Sequence, residues 1–503
     1  MSHVIGIDVG TSGIKVAAVG RDGRIEDVES RAYALCFPQP GWVEIDLEQT
    51  WELVHELLGL VSRKVADLGG EIEAVSLSCF CNASVFLDEA GRPLQRGILY
   101  MDQRSTAETE WVKAAVSEEE RFRITKNRTE PGMISLTSLL WFKNNRPELF
   151  RRTRKWGHLS SYLLYRLTGR FVLDWTQASY SGMFDVEEYR WSAKLCGIYG
   201  IEESLLPEIV DPREAIGRVS DDCGLPFGGR VRVAAGAADT ACSTLTLGLA
   251  PGQMFESVGT SDVLTICTDN PRRFDARFLN RCHILKGRWL SHGAMSTPGS
   301  SIRWFKENFL QAEAAADPGI LENLVRSAPP GANGLFFLPY MFGERSPIWD
   351  VHARGSFVGL DLTSTKTDML QAIYEGCAYG LRQIYEIMEE AYGLSFADFF
   401  SIGGGAQNRH WSQIKSNVLG KVIEVNEVAE TAACGAALLA GRAVGFYADM
   451  DEGVCAFKSR RLFAVEPDQK LVLRYERQYR LFCELYPALR SFFAKAYNAR
   501  KEG

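Results

Sequence analysis

Two stretches of the chain share one pattern of apolar and polar positions, in which a strand, a glycine turn and a second strand follow one another. The apolar, β-branched run Val4–Asp8 leads into the tetrapeptide VGTS at Val9–Ser12, and the strand pattern resumes at Lys15–Val19. Near mid-chain, VGTS returns at Val258–Ser261 between two further strand-like runs. The pattern therefore predicts a β-hairpin of the same design in each half of the chain.

Other segments repeat their apolar side chains at helical spacing. Residues 51–68 predict an amphipathic helix that ends at Gly69–Gly70, and residues 367–392 predict a long helix with a Thr or Asp cap. Residues 137–150 also predict a helix, and residues 464–503 predict two. Because strands and helices alternate in both halves, the predicted class is α/β with mixed central sheets flanked by helices.

The chain is too long for a single core. Domains usually hold about 100–200 residues, so a chain of 503 residues predicts two large domains or three smaller ones. We place the boundary near Gly248–Gly252, where a predicted helix ends and the second hairpin begins. The predicted domains are 1–248 and 249–503.

The composition excludes several classes of protein. With 46% hydrophobic and 24% charged residues, the chain is typical of globular proteins, and its net charge of −7 argues against nucleic acid as the main partner. The 12 cysteines include no C-x-x-C pair, so no zinc ribbon or redox motif is predicted. Neither a signal peptide nor an uninterrupted membrane span is predicted, and the expected location is the cytoplasm.

The two VGTS turns suit phosphate binding. Glycine lets backbone N–H groups approach a phosphate closely, and the Thr and Ser hydroxyls add donors. Asp8, just before the first turn, is placed to hold Mg²⁺ through water, and Lys15 would add positive charge. The alternative is that each VGTS is an ordinary hairpin turn without a ligand. The presence of two copies, one in each half of the chain, favours phosphate binding over this alternative. A third glycine turn, Gly403–Ala406, follows a predicted strand, but it is neither a Walker loop nor a dinucleotide fingerprint.

Two aspartates are candidates for chemistry on a substrate. Asp239 lies in a turn of small residues after an apolar strand, where a substrate could reach its carboxylate, as a general base requires. The alternative is a helix N-cap. Asp102 lies beside Arg104 and an aromatic residue, a combination that suits either sugar hydroxyls or a surface ion pair.

Together these motifs resemble the FGGY family of carbohydrate kinases, a branch of the fold shared by actin, Hsp70 chaperones and hexokinase. The resemblance covers nearly the whole chain. Its most specific element is Gly355–Glu375, "GSFVGLDLTSTKTDMLQAIYE", which fits the family's C-terminal signature at each constrained position. The N-terminal signature departs from the family at Ser138, where lysine is usual. Similar to the family as well are "IGIDVGTSGIKV", "GAADTACS", "SVGTSDVL", "GLFFLPYMFGERSPIWD" and "GGGAQNRHWSQIKSNVLGK".

The resemblance implies two actin-like, ribonuclease H-like domains with ATP and Mg²⁺ in a cleft between them, and Asp239 as the general base. It implies a small-molecule sugar or polyol as substrate, no nucleic acid or membrane partner, and a homodimer. Asp8 would help to order Mg²⁺. The sugar would contact Cys81, Asn82, Asp102 and Asp239. The nucleotide would contact Gly10, Thr11, Ser12, Lys15, Gly259, Thr260, Ser261, Gly299, Gly404, Gly405 and Asn408.

Within this family the chain looks most like a xylulokinase, which predicts a ketopentose substrate. Where xylulokinases have "GLSGQMHG", this chain has "SLSCFCNA", so Phe80, Cys81 and Asn82 replace Gln, Met and His. Ribulose, erythritol, glycerol and gluconate are therefore alternatives, and gluconate would need a cation such as Arg104 near its carboxylate. Two other classes stay open: a nucleotide switch like actin, and a non-catalytic sugar sensor.

Overall fold

The structure is a computed structural model that describes residues 1–227, 229–317, 319–393, 398–427, 430–457 and 460–501. The chain forms two compact units, each built from several segments. The first unit holds Met1–Leu249, Asn280–Leu290 and Ala429–Ser459, and the second holds Ala250–Leu279, Ser291–Val428 and Arg460–Gly503.

The elements alternate along the chain as the sequence predicts. The strands are β1 (Ser2–Gly10), β2 (Gly13–Gly20), β3 (Ile25–Ala32), β4 (Glu44–Ile45), β5 (Glu71–Cys79), β6 (Ser84–Leu87), β7 (Gly97–Ile98), β8 (Lys155–His158), β9 (Val172–Asp174), β10 (Phe184–Asp185), β11 (Arg190–Trp191), β12 (Glu208–Val210), β13 (Ala215–Arg218), β14 (Arg232–Ala238), β15 (Met254–Val258), β16 (Asp262–Thr268), β17 (Leu279–Cys282), β18 (Trp289–Met295), β19 (Phe336–Leu338), β20 (Ser356–Val358), β21 (Asp398–Ile402), β22 (Val422–Glu427) and β23 (Arg460–Val465). The helices are α1 (Leu47–Asp67), α2 (Thr106–Ala115), α3 (Glu118–Thr125), α4 (Ser135–Asn145), α5 (Pro147–Arg152), α6 (Leu159–Thr168), α7 (Trp175–Ala178), α8 (Ala193–Tyr199), α9 (Asp239–Thr246), α10 (Pro298–Phe309), α11 (Gln311–Ala316), α12 (Ile320–Ser327), α13 (Lys366–Tyr392), α14 (Arg409–Leu419), α15 (Thr431–Ala443), α16 (Met450–Ala456) and α17 (Gln469–Lys501). Short 3₁₀ turns lie at Glu203–Leu205, Asp221–Cys223, Pro271–Arg273, Ala332–Gly334 and Gly405–Gln407.

A six-stranded mixed sheet organises the first unit, in the order β13-β14-β5-β1-β2-β3. Strands β1, β5 and β14 are parallel neighbours, whereas β1–β2, β2–β3 and β13–β14 pair antiparallel. One face of the sheet packs on α1 and α6. The apolar core there includes Ile5, Ile7, Val54, Leu57, Leu58, Val61, Leu77, Tyr162, Leu163 and Val233.

Helix α15 returns to this unit from the far end of the chain and packs on β1, β5 and β14. The approach is close at Gly6 of β1, where an added Cβ would lie 1.8 Å from the carbonyl oxygen of Ala433. Only glycine fits at such a distance, so Gly6 allows the helix to lie directly on the sheet. The helix covers the face of the sheet opposite the α1 core.

The second unit holds a mixed sheet in which β18, β16, β15, β21, β22 and β23 are neighbours in that order. Its hairpin β15–β16 and the parallel neighbours β15, β21 and β22 repeat the arrangement of β1–β2 with β5 and β14. Helix α13 begins at a capping box formed by Thr365 and Asp368 and ends at Gly393. The predicted α/β class with mixed sheets, repeated in both halves, is confirmed.

Two helix predictions were wrong in detail. Residues 137–150 form two helices, because Pro147 disfavours helical backbone at Arg146 and starts the second helix. The C-terminal segment forms one helix, α17, which accommodates Pro487, instead of two. Among the described residues, no helix has the length and apolar character needed to span a bilayer.

Candidate active site

The carboxyl ends of three parallel strands meet at one edge of the first sheet. Val9 in β1 and Ala238 in β14 both stand opposite Cys79 of β5. Asp8, which precedes Val9, and Asp239, which follows Ala238, are therefore brought to the same edge as the segment after Cys79. In open α/β sheets, ligands bind outside this end of the strands.

Asp8 is held in place by a neighbouring strand. The Ser78 hydroxyl donates to Oδ1 of Asp8 at 2.8 Å. Burial raises the pKa of Asp8 to about 7; the Ser78 hydrogen bond opposes the rise, and the negative charge of Asp239 adds to it. A cation beside Asp8 would therefore favour its ionised form.

The first hairpin turn borders a groove of about 320 Å³. Gly10 pairs with Gly13, which leaves Thr11 and Ser12 in the turn, and the Tyr33 hydroxyl donates to the Gly10 carbonyl. The groove is lined by Asp8, Gly10, Ser12, Gly13, Ile14, Lys15, Ser30, Arg31 and Ala32. A Lys15–Glu430 ion pair of 2.7 Å lies at this hairpin, with the Lys15 side chain 45% exposed. Lys15 is therefore accessible to a ligand but already has one anionic partner.

Asp239 is the first residue of α9 and is half-buried. The backbone N–H and the hydroxyl of Thr240 both donate to its Oδ1, at 2.7 and 3.2 Å. The N-cap of the helix is Ala238, so the alternative that Asp239 acts as the cap is wrong. Upstream, Gly236 has a φ of 77° where the pairing of β14 with β5 shifts register. An added Cβ there would lie 1.9 Å from the Leu77 carbonyl, so the bulge that precedes Asp239 requires glycine.

Asn82 lies just beyond β5 with a left-handed backbone, at φ 62°. Its Nδ2 donates to the Met133 carbonyl, whereas its Oδ1 is buried and has no hydrogen-bond partner. Phe80 is buried and packs on Tyr100 at a ring-centroid distance of 6.4 Å. Burial raises the pKa of the half-buried Cys81 thiol to about 12, so this thiol is a neutral group. The segment therefore offers one free acceptor atom among apolar neighbours.

Asp102 forms a buried ion pair with Arg104, rather than a surface one. Arg104 donates to Asp102 through its backbone N–H, Nε and Nη2 at 2.8–2.9 Å, and the Val43 N–H donates to Oδ2 at 2.6 Å. Arg104 also pairs with Glu44 at 2.9 Å and lies over the ring of Trp42 at 3.7 Å. These four donors fill the hydrogen-bonding capacity of the Asp102 carboxylate, which favours a structural role for it. A sugar hydroxyl would have to displace one of the donors to bind Asp102.

The turn of the second hairpin is exposed and contacts the start of α10. An added Cβ on Gly299 would lie 2.0 Å from the Gly259 carbonyl, and the Ser300 N–H donates to the Thr260 carbonyl at 3.2 Å. Gly299 thus allows a helix N-terminus to lie directly on the turn that ends at Ser261. Backbone N–H groups at a helix N-terminus favour anions.

The glycine turn after β21 lies against the same hairpin. Gly403 has a φ of 93°, and added Cβ atoms on Gly403 and Gly405 would lie 2.5 and 2.4 Å from atoms of Val258. An added Cβ on Gly404 would meet nothing within 4 Å. Asn408 caps α14 by accepting from the Trp411 N–H at 3.0 Å, a role that the sequence did not predict. The second unit therefore places Gly299 and Gly405 against the end of this hairpin, with Gly404 and Asn408 on either side of Gly405 in the adjoining turn.

Comparison with known proteins identifies the family. The model for the N-terminal domain of the FGGY family of carbohydrate kinases matches residues 3–246, and the model for its C-terminal domain matches residues 254–444. The chain belongs to the FGGY family of carbohydrate kinases.

The relatives of this chain within the FGGY family are named for different acceptors. A xylulose kinase of Bacillus subtilis is 30% identical over 500 residues, with 97% of each chain covered. The structure of a ligand-bound xylulose kinase from Lactobacillus acidophilus superposes with a TM-score of 0.90 at 26% identity, covering 98% of this chain and 100% of the other. A gluconate kinase from the same organism also gives a TM-score of 0.90 at 26% identity, with 98% and 99% covered. The FGGY fold and sugar kinase class are shown by these similarities, and the acceptor is not.

The residues of this FGGY chain fit a magnesium ion that arrives with a nucleotide. Among the described residues, no group of three or more His, Cys, Asp or Glu side chains could hold a metal. Mg²⁺ is commonly held by one or two carboxylates, water and substrate phosphates, so the single carboxylate of Asp8 beside the hairpin groove suffices for that mode.

Sequence reasoning missed Arg281, which lies beside the segment after β5. Its Nε donates to the Tyr180 hydroxyl at 3.2 Å, and its Nη1 contacts Cys81 Sγ at 3.5 Å. The only signal in the sequence is a charged residue inside the short strand β17.

A buried triad in the second unit was also missed. Lys415 Nζ bonds to a carboxylate oxygen of Glu256 and, at 2.6 Å, to Asp262, the first residue after the second VGTS. All three side chains are at most 2% exposed. The triad fixes both strands of the β15–β16 hairpin to α14, and thereby the position of its turn.

Proposed function

We propose that this FGGY kinase transfers the γ-phosphate of ATP to a hydroxyl of a sugar or polyol, with Asp239 as the general base. The observation that carries the proposal is the meeting of Asp239, Asp8 and the Asn82 segment at the carboxyl edge of three parallel strands. That edge combines a half-buried carboxylate, a candidate metal ligand and an unpaired hydrogen-bond acceptor. Phosphoryl transfer to a hydroxyl uses a base and a metal ion, and the unpaired acceptor atom could position the hydroxyl-bearing substrate.

Asp239 would accept the proton of the attacking hydroxyl while the oxygen forms its bond to the γ-phosphorus and ADP leaves. The two Thr240 donors on Oδ1 fix the rotamer of the carboxylate. A positioned general base contributes about 10²- to 10⁴-fold to the rate. The remaining rate enhancement would come from positioning and from stabilisation of charge.

The hairpins would bind the phosphates through their backbones. In the first unit this role falls to Gly10, Thr11 and Ser12, beside the groove of about 320 Å³. In the second unit it falls to Gly259, Thr260 and Ser261, together with the N-terminus of α10. Mg²⁺ held by Asp8 would neutralise charge on the phosphates.

The identity of the sugar or polyol that accepts the phosphate is proposed separately. Similarity to xylulose kinases favours a ketopentose such as xylulose, and ribulose, erythritol and glycerol are alternatives. A second candidate, a sugar acid such as gluconate, is favoured by Arg281, a buried cation beside the acceptor segment. Arg104, the cation predicted from the sequence, is less suited because Asp102 and Glu44 already pair with it.

The proposal is tested by acceptor-dependent release of ADP. The panel is D- and L-ketopentoses, erythritol, glycerol, D-gluconate and D-xylonate, each with ATP and Mg²⁺. One acceptor or a narrow class should raise ADP release far above the rate without acceptor, and the phosphorylated acceptor should be detected by mass. ATP binding without stimulation by any acceptor would favour the nucleotide switch or sugar sensor instead. The cytoplasmic location and the homodimer stay predictions.

A further inference from the structure

Arg281 is a buried cation without an anionic partner among the described residues. The residue is 6% exposed, and its polar contacts are the Tyr180 hydroxyl and the Cys81 thiol. Its guanidinium also lies over the Tyr180 ring, 4.5 Å from the centroid. By contrast, the buried Arg104 pairs with two carboxylates, Asp102 and Glu44.

A buried guanidinium in this state is unusual. Buried charges are almost always paired, because a neutral hydroxyl or thiol does not offset the free energy lost when a charge leaves water. Burial raises the pKa of Cys81 to about 12, so its thiol does not supply the missing negative charge. Asp174 and Asp239 interact with Arg281 electrostatically but form no ion pair with it, so an oxyanion could still bind in direct contact with the guanidinium.

The backbone on both sides of Arg281 is fixed. Asn127 accepts from the Asn280 N–H at 2.9 Å and donates to the Asn280 carbonyl at 2.7 Å. The Ser179 hydroxyl accepts from the Cys282 N–H at 3.0 Å. These bonds fix the backbone of β17, and the contacts to Tyr180 and Cys81 orient the guanidinium, which reduces the ordering cost of binding.

The guanidinium lies at the proposed acceptor site. Arg281 contacts Cys81, which precedes Asn82, and it is within electrostatic range of Asp239. An anionic acceptor would meet the negative charge of Asp239 and Asp8 there, so it needs a nearby cation to bind. Arg281 contacts the residue next to Asn82, whose Oδ1 is unpaired, and Asp239 follows the residue that stands opposite Cys79 of β5.

We propose that Arg281 binds a carboxylate of the acceptor, which selects the second candidate named above, a sugar acid of the aldonate class, over a ketopentose. The inference rests on the proposed kinase function for its catalytic consequence. A guanidinium donates two parallel hydrogen bonds to a carboxylate, with the Asn82 Oδ1 accepting from a hydroxyl of the same molecule. The same guanidinium chemistry would suit the transferred phosphoryl group, and the test separates the two.

The test compares acids with neutral counterparts of the same chain length. Steady-state kinetics are measured for D-gluconate against D-glucitol and for D-xylonate against D-xylulose, with wild type, Arg281→Gln and Arg281→Lys. Wild type should prefer the acid. Arg281→Gln should lower kcat/KM for the acid about 10- to 100-fold, mainly through KM, and change it for the neutral counterpart less than about threefold. Arg281→Lys should recover part of the loss, because the charge is kept and the fork geometry is not.

Arg288→Gln is the matched control, since it removes the same charge from the same β17–β18 segment at a half-buried position outside the site. It should leave the preference for the acid unchanged. Equal losses on acid and neutral acceptors in Arg281→Gln would assign Arg281 to the phosphoryl group or to folding and overturn the inference. So would a wild type that prefers neutral acceptors.

Calorimetric titration of D-gluconate into the nucleotide-free protein needs no phosphoryl transfer. Binding that weakens about 10-fold or more in Arg281→Gln supports the inference even if no acceptor is phosphorylated, in which case the kinase proposal fails alone. No binding of D-gluconate or D-xylonate to wild type, together with turnover of a neutral sugar, overturns the inference and leaves the kinase proposal intact.

Discussion

Asn82 combines a strained backbone with an unsatisfied side chain. Its φ of 62° is tolerated better by asparagine than by most residues, and its buried Oδ1 has no partner. A buried acceptor of this kind costs free energy in the free protein. The cost is offset when a hydroxyl of the acceptor donates to it, so both features favour a binding role.

Asn82→Gly tests that role while keeping the left-handed backbone. We expect the KM for the acceptor to rise about tenfold, the equivalent of one hydrogen bond, with the KM for ATP nearly unchanged. Initial-rate kinetics with each substrate varied in turn give both values, and thermal unfolding checks that the variant is folded. An equal rise in both KM values would contradict a specific acceptor contact.

For individual residues, local sequence patterns could predict some of the candidate site side chains and not others. Asp8 and Asp239 could be predicted because each lies beside a glycine or small-residue turn after an apolar strand. Arg281 could not be, since its contact Cys81 is 200 residues away and no local motif marks Arg281 itself. Asp102 was predicted with its partner Arg104, but only the fold shows that the pair is buried.

The two hairpins are equivalent elements fixed in different ways. The first is held by Tyr33 and by α15, which lies on Gly6. The second is held by the Lys415 triad, by Gly299 at the start of α10 and by the glycine turn after β21. The repeated VGTS could predict both hairpins, since turn chemistry is local. Their supports depend on residues distant in sequence, which is why the triad was missed.

In the turn after β21, Gly403 is needed for the fold, whereas the neighbouring Gly404 is predicted to be needed only for nucleotide binding. Gly404 has ordinary helical angles, φ −62° and ψ −36°, and open space around it. Gly403 has φ 93°, and an added Cβ there would lie 2.5 Å from the Val258 carbonyl oxygen. Gly404→Ala should leave the free energy of unfolding within about 0.5 kcal/mol of wild type and raise the KM for ATP about tenfold. Gly403→Ala should destabilise by about 1–3 kcal/mol. Denaturant unfolding and ATP kinetics are measured on both variants. An unchanged KM for ATP in Gly404→Ala would contradict nucleotide binding at this turn.

Helix boundaries show the limit of local pattern. The capping box of α13 and its terminal glycine could be predicted because capping uses neighbouring residues. The break before Pro147 follows the local rule that the residue before a proline disfavours helical backbone. The prediction was wrong because the apolar spacing continues across the break. The continuous helix α17 could not be predicted, because its path past Pro487 depends on packing against α13 and α14.

Across the whole molecule, buried carboxyls make stability depend on pH. Burial raises the pKa values of Asp8, Asp174, Glu344 and Glu375 to about 7, against partly compensating hydrogen bonds. Each is ionised in the unfolded chain at lower pH than in the folded one. Between about pH 4 and pH 7 the folded state therefore binds more protons, and its stability falls as pH rises through this window.

Glu375→Gln isolates one of these groups, since Glu375 is 2% exposed and accepts from the Gly331 N–H, Gln371 and Tyr475. The variant does not titrate at this position. From pH 5 to pH 8 its free energy of unfolding should therefore shift relative to wild type by roughly 2–3 kcal/mol in favour of the variant. Chemical denaturation at several pH values measures the difference; parallel curves would contradict the raised pKa.

The central claim is that Asp239 is the base of an FGGY kinase, and Asp239→Asn tests it most directly. ATP affinity and acceptor-dependent turnover are measured on the variant and on wild type with the best acceptor of the panel. We expect the ATP dissociation constant to change little and kcat to fall at least 10²-fold. Turnover near the wild-type rate in a folded variant would contradict the claim.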